Sequence, residues 1–177
     1  MGQSVANSIY LDPISKNELL LLIDELNLHK SPGPDNIGPK LVRDAKHYLL
    51  EPLLYIFNKS FKNGYVPCQL KIAKVIPIFK KGSTTDPVNY RPISMLSVFD
   101  KLLEKLMYKR LIKFLTKNNI LYGYQFGFRS GHSTTLALVE VFDEIYKKLD
   151  EDSLVMGIFL DLQKAFDTVN HKILIEK

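Results

Sequence analysis

With 177 residues, 46% of them hydrophobic and 24% charged, the chain suits one globular domain or a domain plus an extension, and its composition excludes dominant disorder. The single cysteine, Cys68, excludes an internal disulfide and a cysteine-rich zinc site; with no ~20-residue apolar run and no signal-peptide pattern, an intracellular compartment and no membrane partner are expected. The net charge of +5 is concentrated in residues 61–113, which hold 11 Lys/Arg against 3 Asp/Glu, so this stretch faces a polyanion or forms a solvated lysine-bearing helix face.

Taken in chain order, Ser15-Lys16-Asn17-Glu18 is a capping box, and the apolar run from Leu19 to Leu28 predicts a helix behind it. Ser31-Pro32-Gly33-Pro34-Asp35 stops that helix, because two prolines around a glycine fit neither a helix interior nor a central strand. Pro39 predicts a second helix to about Leu50. Pro52 predicts the start of a third, with Gly64 as its C-cap.

Lys74 to Phe79 reads as an edge strand because of Pro77, and Tyr90 to Leu96 as its return, with the polar segment Lys80 to Asn89 as a long hairpin tip. Ser97 can cap a helix to about Lys117, burying Leu102, Leu103, Leu106 and Leu111; Lys101, Glu104, Lys105, Lys109 and Lys113 share helical spacing. A glycine-bearing loop, Tyr122 to His132, leads to a helix from Thr134 to Leu149.

After the turn Asp150-Glu151-Asp152, the apolar run Leu154, Val155, Met156, Ile158, Phe159, Leu160 ends in a carboxylate, Asp161. A buried strand cannot leave that charge unpaired, because desolvating an ionised carboxylate is costly, so either a cation or a metal is expected beside it. An aromatic, Phe166, and a second carboxylate, Asp167, follow; Asp167 is the expected cap of a helix from about Thr168. Taken alone, Asp161 could equally be a strand-ending turn or N-cap residue.

Four blocks stand in a specific order: K-S-P-G-P-D (30–35), I-P-I-F-K-K-G-S-T-T-D-P-V-N-Y-R-P-I-S-M-L (76–96), Q-F-G-F-R-S-G-H-S-T (125–134) and the segment from Gly157 to His171 containing F-L-D-L-Q-K-A-F-D. Together they resemble the reverse transcriptases of non-LTR retrotransposons, the LINE-like, Jockey-type group, across essentially the whole chain. One departure is Asn36 where the family pattern has glycine, a mild change because Asn tolerates left-handed backbone.

The resemblance implies an α+β polymerase right-hand fold, truncated: a helical N-terminal extension over residues 1–60, then a reverse transcriptase domain over 61–177 with a fingers β-hairpin and the first palm strand and helix. It implies RNA template, DNA primer and dNTP as partners, and Mg2+ as cofactor, since magnesium prefers carboxylate and phosphate oxygens. Asp161 would be the catalytic metal ligand, with the carbonyl of Leu162 as a further contact. Phe166 would pack under the incoming sugar and select deoxynucleotides, or is simply a core residue. Arg91 and either Lys80 or Lys81, with alignment favouring Lys80, would contact the triphosphate; the alternative is a solvated hairpin tip. Arg129 would face template or nucleotide, or else satisfy loop carbonyls; His132 reads as structural, and Gln125 and Phe126 would lie near the templating base.

No Asp-Asp pair occurs in the chain, although the family carries one opposite the first aspartate, so this chain alone is expected to have no polymerase activity. The alternative reading is a non-catalytic nucleic-acid-binding remnant of a mobile element.

Overall fold

The computed structural model describes residues 9–162, 165 and 168–176. It contains helices and a two-stranded antiparallel sheet, and falls into two compact units, Met1–Leu121 and Tyr122–Lys177. No described helix is long and apolar enough to cross a membrane.

In the first unit, helix α1 (Lys16–Asp24) starts where Ser15 Oγ accepts from the Glu18 amide at 3.2 Å. Only that half of the capping box forms, because the Glu18 carboxylate is engaged with Arg110. The helix stops short of Leu28. The side chain of Asn27 accepts from the His29 amide at 3.0 Å, and its carbonyl accepts from Lys30, so the backbone turns there.

The proline loop follows. Asn36 adopts the left-handed conformation (φ 57°) that its substitution for glycine permits, and Asp35 Oδ1 accepts from Ile37 N at 3.1 Å. Helix α2 (Pro39–Asp44) begins on its proline as expected, but breaks at Ala45. Helix α3 (Lys46–Asn63) then runs straight through Pro52, which was expected to start it, and ends on Gly64 at φ 61°. A proline is tolerated there because the donor it removes would have served Tyr48, which is 87% exposed to water.

Strands β1 (Lys74–Phe79) and β2 (Tyr90–Met95) form the expected hairpin. Helix α4 (Val98–Lys117) is capped by Ser97, whose Oγ accepts from Asp100 N at 3.0 Å. Leu102, Leu103 and Leu106 are buried, but Leu111 is 43% exposed. Leu111 lies about 140° around the helix from Leu106, whereas Arg110 continues the buried stripe. The core of this unit joins Ile14, Leu19, Leu22 and Ile23 to Val42, to Leu53, Phe57 and Phe61 of α3, and to Val98, Leu102, Leu103 and Leu106 of α4. It therefore gathers residues from both sides of position 60. Burying each such side chain contributes roughly 1.5–3 kcal/mol.

Two side chains tie the segment before α1 into this core. Asn58 accepts from Ile14 N at 2.7 Å and donates to Ile14 O at 3.1 Å. Arg110 donates to the carbonyls of Asp12 at 2.6 Å, Pro13 at 3.3 Å and Leu106 at 3.0 Å, besides Glu18. Gly33 seats the proline loop on the junction between β2 and α4: a Cβ there would lie 2.6 Å from Ser97 N and 2.7 Å from the Leu96 carbonyl group.

In the second unit, helix α5 (Thr134–Asp150) is capped by Ser133, whose Oγ accepts from Leu136 N at 3.1 Å. None of its residues is buried; Leu136, Val139, Phe142 and Tyr146 are all exposed. The expected strand ending at Asp161 does not form. Residues 154–162 have neither helical nor ladder hydrogen bonds, and Phe159 and Leu160 are 92% and 88% exposed. An isolated extended segment has no neighbour to satisfy its amides and carbonyls, and no described strand of this unit supplies one. Helix α6 (His171–Glu176) starts three residues later than expected, on Asn170, whose side chain accepts from Lys172 N and Ile173 N.

Candidate functional site

The hairpin pairs Lys74 with Met95, Ile78 with Arg91 and Phe79 with Tyr90. A further bond, Lys80 N to Asn89 O at 2.8 Å, carries the register one step past the strands. Side chains alternate between faces, so Lys80 falls on the face of Ile78 and Arg91, while Lys81 lies in the bend beyond the ladder. Diagonal neighbours of this kind have Cβ atoms ~7–8 Å apart, within reach of one polyphosphate.

Local bonds hold the tip in shape. Asn89 Nδ2 donates to Ser83 O at 2.9 Å, the Tyr90 hydroxyl donates to Thr84 O at 2.8 Å, and Asp86 Oδ1 accepts from Val88 N at 3.0 Å. Gly82, at φ 97°, lies so close to the Asn89 amide that a Cβ would meet it at 2.7 Å. Phe79 and Tyr90 meet edge to face, 5.5 Å between centroids, below this tip. Lys80, Lys81 and Arg91 are exposed, and none has an ion pair or side-chain hydrogen bond among the described residues.

The lysines of α4 differ. Lys113 pairs with Asp12 at 3.6 Å, Lys109 lowers the pKa of Glu18, and Lys101 acts on Asp100 and Glu104, whose carboxyls burial pushes up. Those three lysines already face carboxylates, which favours the solvated helix face over a polyanion track for α4.

In the second unit, Arg129 is half-buried and donates to the carbonyls of Tyr122 at 3.0 Å and Gln125 at 3.4 Å, the geometry of its structural alternative. His132 bonds Ser130 O through Nδ1 at 3.1 Å and meets Phe126 edge to face, in keeping with a structural role. Gln125 donates to Gly127 O at 3.3 Å.

Asp161 is exposed rather than buried at a strand end, so the desolvation argument for a compensating charge does not apply to it here. It has no ion pair among the described residues, and Leu162 beside it is exposed too. Phe166 and Asp167 lie outside the described residues. No group of three or more His, Cys, Asp or Glu gathers among the described residues. Among the described residues Asp161 stands as a single carboxylate, which does not fit a site for two hard cations that need six or more oxygen ligands each.

Sequence reasoning missed Arg110 and Asn58, which anchor the segment before α1. The available signal was the spacing Leu106–Arg110: a cation four residues along an apolar stripe calls for a buried partner.

The model of the family described as reverse transcriptase (RNA-dependent DNA polymerase) matches residues 78–177, which contain the hairpin tip and Asp161. Among curated relatives, the chain is 36% identical over 171 residues to a probable RNA-directed DNA polymerase from transposon BS of Drosophila melanogaster. It is 35% identical over 171 residues to the RNA-directed DNA polymerase from mobile element jockey of the same fly, and 29% identical over 172 residues to the probable enzyme from transposon X-element. These alignments cover 96%, 96% and 97% of this chain but 19% of each relative, so the chain spans about a fifth of their length. By this match over more than half its residues, a span that includes the hairpin tip and Asp161, the chain belongs to the reverse transcriptase family, and the relatives it is similar to are RNA-directed DNA polymerases of jockey-like non-LTR retrotransposons.

Proposed function

We propose that this chain is part of an RNA-directed DNA polymerase working on an RNA template, a DNA primer and deoxynucleoside triphosphates inside the cell. In this reading residues 1–60 are a helical extension, and residues 61–177 contribute the fingers and the start of the palm of a right-hand fold. The observation that carries it is the hairpin register: inside the matched residues, Lys80 and Arg91 share one face with their charges uncompensated. Arg91 can grip phosphate oxygens bidentately while Lys80 supplies a point charge, the combination that an incoming triphosphate needs. The same register favours Lys80 over Lys81.

Asp161 and the carbonyl of Leu162 are the proposed contribution of this chain to a Mg2+ site, Phe166 the residue under the sugar, and Arg129 a template or nucleotide contact through donors that its loop carbonyls leave free. Bound metal would neutralise charge on the phosphoryl oxygens during transfer. One carboxylate does not hold two such ions, so this chain alone does not extend a primer.

That no cluster of three or more His, Cys, Asp or Glu gathers among the described residues favours a second reading, a non-catalytic remnant that binds nucleic acid through phosphates. Incubating the purified chain with a labelled primer–template, Mg2+ and dNTPs tests both. Salt-sensitive binding without extension is the expected result. Extension would overturn the claim of inactivity, and no binding at low ionic strength would overturn both readings.

A further inference from the structure

The outer face of α3 carries cations and rings that neither the core nor the hairpin uses. Tyr48, Tyr55, Lys59 and Lys62 recur at i, i+7, i+11 and i+14, which places them on one stripe. Tyr48 is 87% and Tyr55 65% exposed. Lys59 Nζ lies 5.4 Å from the Tyr55 ring centroid and donates to its hydroxyl at 3.3 Å. Beyond Gly64 the pattern repeats: Lys71 Nζ lies 5.7 Å from the exposed Tyr65 ring, whose hydroxyl is 3.6 Å from Cys68 Sγ.

Two open grooves, of about 510 and 250 Å³, share Tyr55, Lys59 and Asn63; the larger includes Lys62 and the smaller reaches Tyr65. Their one lining carboxylate, Glu51, is already paired with Lys16 of α1. Lys59, Lys62 and Lys71 have no carboxylate partner among the described residues. The surface therefore offers flat rings and uncompensated cations side by side along an open groove. Single-stranded nucleic acid presents the complement, bases that stack on aromatic rings and phosphates that take lysine charges.

We propose that the surface formed by Tyr55, Lys59 and Lys62 of α3 together with Tyr65 just beyond it is an RNA-binding surface additional to the hairpin, holding single-stranded RNA by base stacking and phosphate contacts. The choice of RNA over DNA rests on the polymerase reading above; the surface itself does not.

Fluorescence anisotropy on the full chain with a labelled single-stranded RNA, and with DNA of the same sequence, tests this. Tyr55→Leu with Tyr65→Leu should weaken RNA binding about tenfold. Lys59→Gln and Lys62→Gln should each reduce the salt slope by about 0.7. All four side chains lie outside the core, and unchanged thermal melts would verify that the variants fold. Cross-links from 4-thiouridine RNA should map to Tyr55 or Tyr65. With Lys80 and Arg91 both changed to alanine, residual RNA binding should remain sensitive to Tyr55→Leu. Loss of binding in that hairpin variant, with no effect of the tyrosine changes in the native background, would overturn the α3 surface and leave the hairpin reading standing. Equal binding of DNA with the same tyrosine dependence would overturn the assignment to RNA. An absence of any tyrosine effect or cross-link would overturn the surface as a nucleic-acid site and leave a protein partner as its occupant.

Discussion

Arg110 of α4 grips Glu18 of α1 through two parallel hydrogen bonds, Nη1 to Oε1 at 3.0 Å and Nη2 to Oε2 at 2.9 Å. The Arg110 side chain is 9% exposed and the Glu18 side chain 25%. Three backbone carbonyls take the remaining donor capacity, and the Phe61 ring lies 5.1 Å from the guanidinium carbon. A desolvated cation is tolerable only with this degree of satisfaction. The pair fastens α1 to a helix 92 residues away in sequence, while the bonds to the Asp12 and Pro13 carbonyls fasten the segment before it.

Removing either partner should therefore cost unequally. Arg110→Ala loses five hydrogen bonds and the packing on Phe61, and should lower unfolding free energy by about 3 kcal/mol. Glu18→Gln keeps one acceptor and the three carbonyl contacts, and should cost about 1 kcal/mol. Urea unfolding of both variants measures this; equal losses would contradict the asymmetry.

The pair also has a pH signature. The hydrogen bond from Arg110, followed by its charge and that of Lys109, holds the Glu18 carboxyl below the ordinary glutamate value of 4.5, against the opposing effect of burial. A depressed folded pKa means that the unfolded chain binds the proton more tightly. This contribution is therefore present above about pH 4.5 and disappears as pH falls through the depressed value. Asp100 and Glu104 work in the opposite sense, since burial raises both: their contribution is present at low pH and declines as pH rises through the raised values. The stability gap between the native chain and Glu18→Gln should be constant above about pH 4.5 and close as pH falls from there through the depressed value, and denaturant titrations on the acid side would register it.

Gly33→Ala should destabilise by about 2 kcal/mol, because its Cβ would meet backbone atoms of Leu96 and Ser97 at 2.6–2.7 Å, and a backbone cannot step aside as a flexible side chain can. Gly38→Ala is the control. No atom lies within 4 Å of its Cβ, and its φ of −82° suits any residue. Thermal melts that show the same loss for both would contradict the close approach.

At the hairpin, Lys80→Ala and Arg91→Ala should each weaken nucleic-acid binding about threefold at low salt, with the effect shrinking as salt rises. Lys81→Ala should have a smaller effect, since Lys81 lies in the bend beyond the ladder and the register does not hold it beside Arg91. Anisotropy titrations at two salt concentrations would check this. Identical behaviour of Lys80→Ala and Lys81→Ala would mean that the register does not select between them.

Much of this architecture was legible from residue order because it depends on local chemistry. Ser15, Ser97 and Ser133 cap helices by accepting from amides three residues on, Gly64 supplies a left-handed cap, and Pro77 stands in an edge-type strand of a two-stranded ribbon. The family, too, was carried by the order of its blocks along the chain. Local signals failed where packing or a missing neighbour decided. Pro52 remained inside α3, because water can serve the carbonyl it leaves free. The apolar run before Asp161 did not become a strand, since a strand exists only through the hydrogen bonds of another strand.

The sequence by itself determined the helix starts, the hairpin and the membership of the reverse transcriptase family, all of which rest on contacts a few residues apart or on linear order. Only the tertiary structure decided that Arg110 is buried against Glu18, that Lys113 and Lys109 of α4 are engaged with Asp12 and Glu18, and that Lys80 shares a face with Arg91. Each of these depends on which groups distant in sequence meet or which way a paired strand turns its side chains, and a carboxylate 92 residues away or the register of a β-ladder leaves no mark on the residues around it.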